Sequence, residues 1–143
     1  MPRWLTRIIR TFRPPAWSEN RDPLGPAGER AAEAFLKSRG YRILARNARV
    51  PMGEADLLCE CPDRLAIVLV EVKSRRLDAG RDDPPAEMAV TAEKRRKLVK
   101  IIRHLARANR WRSRPLRIDI IAVDFRGDQP VEIRHHPGAV GLR

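Results

Sequence analysis

Sulfur and imidazole are scarce in this chain, and the scarcity removes several kinds of chemistry. The cysteines are Cys59 and Cys61, and the histidines are His104, His135 and His136. The cysteines sit at alternate positions of one strand-like stretch, too close in sequence for the usual disulfide geometry and too few for a zinc site. They read as small core residues in a reducing compartment. No Ser-His-Asp or Cys-His pairing recommends itself for nucleophilic catalysis. His135 and His136 are adjacent, so their side chains would diverge in a strand, and both read as surface residues rather than ligands. A glycine-rich phosphate loop of the Walker kind is absent, as are internal repeats, which excludes P-loop nucleotidases and solenoids. No apolar run approaches the length of a membrane span. The beginning lacks the compact apolar region of a signal peptide, so a cytoplasmic location is expected.

Positive charge is what the chain has in excess. Thirty Lys and Arg stand against eighteen Asp and Glu, a formal charge of +12. Such a balance predicts attraction to a polyanion, nucleic acid first and an anionic membrane surface second. The charge is unevenly placed, with eleven Lys or Arg and no Asp or Glu from Lys94 to Arg117. Thr91 is a good N-cap, with Glu93 in the first turn, for a helix reaching about Asn109. Leu98, Ile101, Ile102 and Leu105 would form its buried face. Arg96, Lys100, Arg103, Arg107 and Arg110 recur on the outer face at helical neighbour spacing. Like charges so placed cost helix stability, and a phosphate backbone would relieve them. These five, together with Arg75, are the expected nucleic-acid contacts.

The length suits one domain with one core. Residues 1–26 stand apart from it. Arg3, Arg7, Arg10 and Arg13 alternate there with Trp4, Leu5, Ile8, Ile9 and Phe12, and a linker with Pro14, Pro15, Pro23 and Pro26 follows. On a helix this pattern is basic on one side and apolar on the other, suited to a membrane surface, to packing on the domain or to nucleic acid, or it is a frayed extension that the core does not need. Pro26 to Arg39 reads as the first domain helix, opened by Pro26 and Gly28, ended by Gly40, with Ala31, Ala32, Phe35 and Leu36 as its apolar stripe. Glu29 leans toward that stripe, because Ala32 and Leu36 lie three and seven positions on, or it is a surface glutamate that favours the positive end of the helix dipole, the reading that the residues alone prefer. Tyr41 to Val50 reads as a strand, and Pro51 to Gly53 turn it into a hairpin. Ser74 to Val90 reads as a long polar loop able to close over a substrate. Arg117 to Asp124 is a further strand with Arg117 and Asp119 on one face, and Val131 to Arg134 a short last one. The order predicts an α/β layer with a mixed sheet flanked by helices.

The hairpin from Gly53 to Lys73 gathers the charges of most interest. Its first half alternates, with Glu54, Asp56, Leu58 and Glu60 on one face and Ala55, Leu57 and Cys59 on the other; its second half is the aliphatic run Leu65 to Val72. A turn near Asp63 and Arg64 sets Asp56 opposite Glu71 at a Cβ separation of roughly 5 Å, and Lys73 shares Glu71's face. Two carboxylates and an ammonium at one end of a hairpin form either a site or an ordinary cross-strand ion cluster, and spacing alone does not choose. As a site, opposed carboxylates repel, a cost that a divalent cation removes. Mg2+, or Mn2+ in its place, suits one or two carboxylates plus a substrate phosphate, and Lys73 could orient or deprotonate water, or stabilise charge on phosphorus.

Gly53-Glu54-Ala55-Asp56-Leu57-Leu58, followed by Val70-Glu71-Val72-Lys73-Ser74-Arg75, resembles the PD-(D/E)XK nuclease superfamily. In more detail the chain resembles the YraN family of predicted bacterial endonucleases, itself similar to archaeal Holliday junction resolvases. Gly28-Glu29-Arg30-Ala31-Ala32, Gly40 to Leu44, Arg46-Asn47, Val90-Thr91, Lys94 and Arg117-Ile118-Asp119 extend the match over about residues 27–124. Ala55 replaces the proline that names the motif, Ile118 stands where an aromatic is common, and Pro137 to Arg143 match poorly. The resemblance implies a restriction-endonuclease-like αβββαβ core over residues 27–143. It implies Asp56 and Glu71 as metal ligands, Lys73 as the catalytic lysine and Glu29 as a further catalytic carboxylate. The expected activity is Mg2+- or Mn2+-dependent hydrolysis of DNA, duplex or branched, and cutting a junction would call for a homodimer. A nucleic-acid-binding module that keeps the fold without cutting is the alternative.

Overall fold

The computed structural model describes residues 24–77 and 82–143. The basic stretch and most of the proline-rich linker therefore lie outside the described residues. The first helix, α1 (Leu24–Ser38), begins two residues before Pro26. The first four N–H groups of a helix have no partner within it, so a proline in the opening turn costs little, and Leu24 is itself buried against the sheet. Gly40, with φ of +85°, ends the turn that follows.

Three strands, β1 (Arg42–Val50), β2 (Gly53–Glu60) and β3 (Ile67–Arg76), lead to the second helix, α2 (Ala92–Ala108), and two more, β4 (Leu116–Arg126) and β5 (Gln129–Val140), follow it. The strands form one sheet in the order β1-β2-β3-β4-β5. Only β3 and β4 run parallel, because α2 carries the chain back between them. This is the mixed sheet flanked by helices that the sequence predicts. Leu98, Ile101, Ile102 and Leu105 of α2 pack on one face, over Leu58, Ile67, Leu69 and Ile118. Ala32 and Leu36 of α1 pack on the other, over Leu57, Val68, Val70 and Phe125. Burial on both faces explains why β3 reads as an unbroken aliphatic run. Thr91 caps α2 as expected, its hydroxyl accepting from the Lys94 N–H at 3.1 Å.

Three expectations about the strands and their connections change. The alternation along β2 breaks at Asp56: Ala55 packs on the α2 side, whereas Leu57 and Cys59 pack on the α1 side. Between the flanking pairs Arg46–Leu57 and Ala48–Ala55, Asn47 takes a left-handed φ of 48°, and this local kink reverses which face each residue meets. Second, the loop after Lys73 is shorter than expected, since β3 stays paired with β4 through Arg76 and a 3-10 turn forms at Ala86–Ala89. Third, β5 is a long edge strand rather than a short one. Its prolines are tolerated at an edge, and two register shifts absorb the mismatch with β4.

His135 is not a surface residue. Its Nε2 lies 2.8 Å from Asp119 Oδ2, and its ring meets Phe35 and Tyr41 edge-on at 6.0 and 5.8 Å. Asp119, fully buried, also accepts two bonds from Arg117 and one from the Gly138 N–H. His136 does diverge from its neighbour, reaching Glu87 Oε1 at 3.1 Å.

Glu87 fastens the 3-10 turn to β5 by accepting from Arg134 Nε and Nη2, each at 2.9 Å. The Arg134 guanidinium holds the Glu87 carboxyl at about 2, down from 4.5. A depressed folded-state value means that the stabilisation is complete above about pH 4.5 and is lost as pH falls toward about 2. Glu87→Gln is therefore expected to lose about 1–3 kcal/mol at pH 7 and to decline less than wild type between pH 5 and pH 3 in thermal unfolding. Parallel curves for the two proteins would show that the pair contributes nothing.

Candidate functional site

The ends of β2 and β3 meet the opening turns of both helices, and a cleft of about 410 Å3 forms there. Glu29, Asp56, Glu71 and Lys73 all line it, so the four catalytic residues expected from sequence are brought together. Gly28 is part of the reason. A Cβ at that position would come within 1.8 Å of Ser74 Oγ and 3.0 Å of Ser74 Cβ, so glycine lets α1 lie this close to β3 without displacing Ser74, and the close approach carries Glu29 into the cleft.

The expected register holds. The β2–β3 ladder runs from Glu60–Ile67 to Leu57–Val70, and the next step sets Asp56 beside Glu71. Instead of extending the ladder, the Asp56 carboxylate accepts the Val72 N–H at 2.8 Å. Burial, and then the charges of Glu71 and Glu29, push the Asp56 carboxyl up to about 8, while the Val72 N–H and Lys94 pull the other way. Glu71 is 3% exposed. Its Oε1 stands 3.4 Å from Lys73 Nζ and 3.4 Å from Lys94 Nζ, and its Oε2 is the one buried side-chain polar atom among the described residues with no hydrogen-bond partner. Glu29 is held from the side. The Asn47 amide, turned so that its nitrogen faces the carboxylates, donates to Glu29 Oε2 at 3.2 Å and to Glu54 Oε1 at 3.1 Å.

Lys94 and Asn47 were not assigned to the site from sequence. Lys94 carries a local signal: it is a cation in the first turn of α2, at the positive end of the helix dipole, where Asp or Glu is favoured. Asn47 carries a weaker one, since asparagine is among the few residues that accept a left-handed backbone.

The expected nucleic-acid contacts divide into two groups. Arg96, Lys100, Arg103, Arg107 and Arg110 are exposed along the outer side of α2 and its end, with Arg103 also bonding the Leu142 carbonyl. Arg75 departs from them. It makes a fork with Asp124 at 2.9 and 3.2 Å and donates to the carbonyls of Asp83 and Pro84 at 2.7 and 2.8 Å. It is a tie between β3, β4 and the following loop rather than a free cation. No helix among the described residues is long and apolar enough to cross a membrane.

A mixed five-stranded sheet flanked by helices, with acidic and lysine side chains converging where β2 and β3 meet the two helices, defines an α/β domain with a polar cleft at that junction. The chain belongs to the uncharacterised protein family UPF0102, whose sequence profile matches residues 28–123. That span contains Glu29, Asn47, Asp56, Glu71, Lys73 and Lys94. A UPF0102 protein of Anaeromyxobacter dehalogenans is 38% identical over 121 residues, covering 85% of this chain and 86% of the relative. One of Symbiobacterium thermophilum is 44% identical over 102 residues, 71% of this chain and 81% of its own length. One of Chloroflexus aurantiacus is 39% identical over 124 residues, 82% and 92% respectively. Among solved structures, Pyrococcus furiosus SfsA in complex with Ca2+ aligns at 18% identity with a TM-score of 0.35, over 76% of this chain and 59% of that one. That likeness is too distant to bear on function.

The raised Asp56 value has a sign that can be tested. A folded protein that keeps a proton which the unfolded chain releases at about 3.8 loses stability as pH climbs from about 4 to about 8. Asparagine mimics the protonated acid and still accepts the Val72 N–H. In the presence of a chelator, Asp56→Asn is thus expected to match wild type near pH 4.5 and to melt progressively higher than wild type toward pH 8. A difference that does not change with pH would refute the buried-proton account.

Proposed function

We propose that the protein is a divalent-cation-dependent DNA endonuclease of the cytoplasm. The single observation that carries this reading is the convergence of Asp56, Glu71 and Lys73 on one cleft with a buried Glu71 oxygen left unpartnered. The resemblance of Gly53-Glu54-Ala55-Asp56 and Glu71-Val72-Lys73 to PD-(D/E)XK nucleases and to Holliday junction resolvases supports it. It also makes branched DNA, cut by a pair of copies, the narrower form of the proposal.

No trio of His, Cys, Asp or Glu among the described residues closes into a ready-made metal cage. The donors present instead suit a hard cation that keeps several waters and takes part of its shell from a substrate phosphate. Asp56 and Glu71 would hold it, Glu71 through the oxygen that has no other partner. A bound Mg2+ or Mn2+ would offset phosphodiester charge and activate water. Asp56 must give up its proton to serve as a ligand, so cation affinity rises with pH. Glu29, facing the same space from α1, can orient water or take its proton. Lys73, 32% exposed on its side chain, can follow the charge that develops on the phosphoryl oxygens. Outside the cleft, the row from Arg96 to Arg110 gathers the phosphate backbone.

The exposed row on α2 by itself also fits a binding module that does not cut. Nicking of supercoiled and branched DNA distinguishes the two. Cleavage with Mg2+ or Mn2+ is expected to fall by about 100-fold or more in Asp56→Ala and in Lys73→Ala, with DNA affinity largely kept. Cleavage undiminished in both variants sinks the enzyme, and no cleavage by wild type with either ion leaves the binding module. In the same preparations, each of Arg96→Ala and Lys100→Ala is expected to reduce the slope of log affinity against log salt by about 0.9 on duplex DNA.

A further inference from the structure

We propose that Lys94 is the internal counter-ion of the cleft: without a divalent cation it shares Glu71 with Lys73, and with substrate present it yields Glu71 to the cation and takes a phosphate oxygen. The proposal rests on the cation-binding reading of Asp56 and Glu71 given above, and it adds a residue and a competition to that reading.

Three observations carry it. First, Lys73 and Lys94 approach the same oxygen, Glu71 Oε1, at the same 3.4 Å, while Oε2 of that carboxylate stays buried and unpartnered. Two ammonium groups on one oxygen beside an empty one is an arrangement of charge compensation, not of hydrogen-bond saturation. Second, nothing local favours a lysine here. Lys94 is the third residue of α2, the place where a capping box carries Glu or Gln, and its charge opposes the helix dipole. Glu71 supplies what the helix does not. Third, the side chain is 31% exposed and its backbone is fixed by the Thr91 cap at 3.1 Å. A flexible four-carbon stem on a fixed turn lets the ammonium move from Glu71 to an incoming phosphate. The exposed basic row of α2 begins two residues later at Arg96, so the same helix would hold backbone phosphates outside the cleft and one inside it.

A counter-ion and a divalent cation repel, so removing one strengthens the other. Free Mn2+ is followed by electron paramagnetic resonance while it is titrated, at pH 8 and without DNA, into the full chain and into Lys94→Met, Lys94→Gln, Lys94→Arg and Lys97→Met. Lys97 is exposed on the same helix and serves as the control for loss of one charge. Both neutral Lys94 variants are expected to bind Mn2+ about fivefold tighter or more, with Lys94→Arg and Lys97→Met close to wild type. Affinity for a labelled duplex in Ca2+, with the DNA shown intact on a gel, is expected to fall further in Lys94→Met than in Lys97→Met and to recover in Lys94→Arg. Mn2+ affinity that is unchanged or weaker in both neutral variants overturns the counter-ion role while leaving the cation site standing. Mn2+ binding by none of the proteins overturns the cation site and the counter-ion together. A DNA loss in Lys94→Met no larger than in Lys97→Met overturns the transfer to phosphate.

Discussion

Two carboxylates set side by side at the end of a hairpin, Glu71 buried and Asp56 half-buried, are the constraint that the rest of this structure serves. Asp56 and Glu71 would repel in any medium and more strongly in a buried one. Three arrangements keep them together. The β2–β3 register is fixed by apolar packing on both sheet faces, so that a slip of one residue would exchange the side chains that meet α1 with those that meet α2. The Val72 N–H binds Asp56, and burial raises its proton affinity, so the pair holds less charge than its composition suggests. Lys73 and Lys94 then meet Glu71 from two elements. The two helices are placed to the same end: Gly28 brings α1 close enough for Glu29, and the Thr91 cap starts α2 where Lys94 can reach.

Most of this was legible from residue patterns. Pro62 and Asp63 mark the turn, and the turn sets the register that puts Asp56 at Glu71. Thr91, followed by an apolar face at helical spacing, locates α2 to within a residue. Glu29 was legible in a different way, as a charged residue on an inward stripe, which patterning allows but only a resemblance to nucleases made meaningful. The failures share a cause. The face reversal at Asp56 comes from the backbone of Asn47 on a neighbouring strand, and no periodicity within β2 carries that information. β5 runs well past Val131 to Arg134 although it contains Pro130, Pro137 and Gly138, because an edge strand does not need every N–H. Arg75 and His135 looked like surface residues because their partners, Asp124 and Asp119, lie on β4, far away in sequence.

The cleft and the basic ridge also answer a question raised by composition. A chain with a formal charge of +12 has no electrostatic need to bury acids without bonding them. Elsewhere in the domain it does not: Asp119, Asp124 and Glu87 are each engaged by arginine, and Glu60 by Arg42 and Arg114. Among the described residues, only at Glu71 is a buried carboxylate oxygen left over.

That contrast bears on the choice between cutting and merely binding. Replacing a buried ionic group by well-packed apolar residues is often neutral or stabilising, so a module whose role ended at the phosphate backbone could fill this cleft and keep its arginine row. The row does not need the cleft, since Arg96 to Arg110 are presented by a helix whose buried face is independently packed. Local rules are broken here in three places at once, by an inward Glu29, by a lysine at a helix N-terminus and by an unpartnered carboxylate oxygen. Such breaks persist where a site has a use for them, and the use we propose for all three is the handling of a cation and a phosphate in one small space.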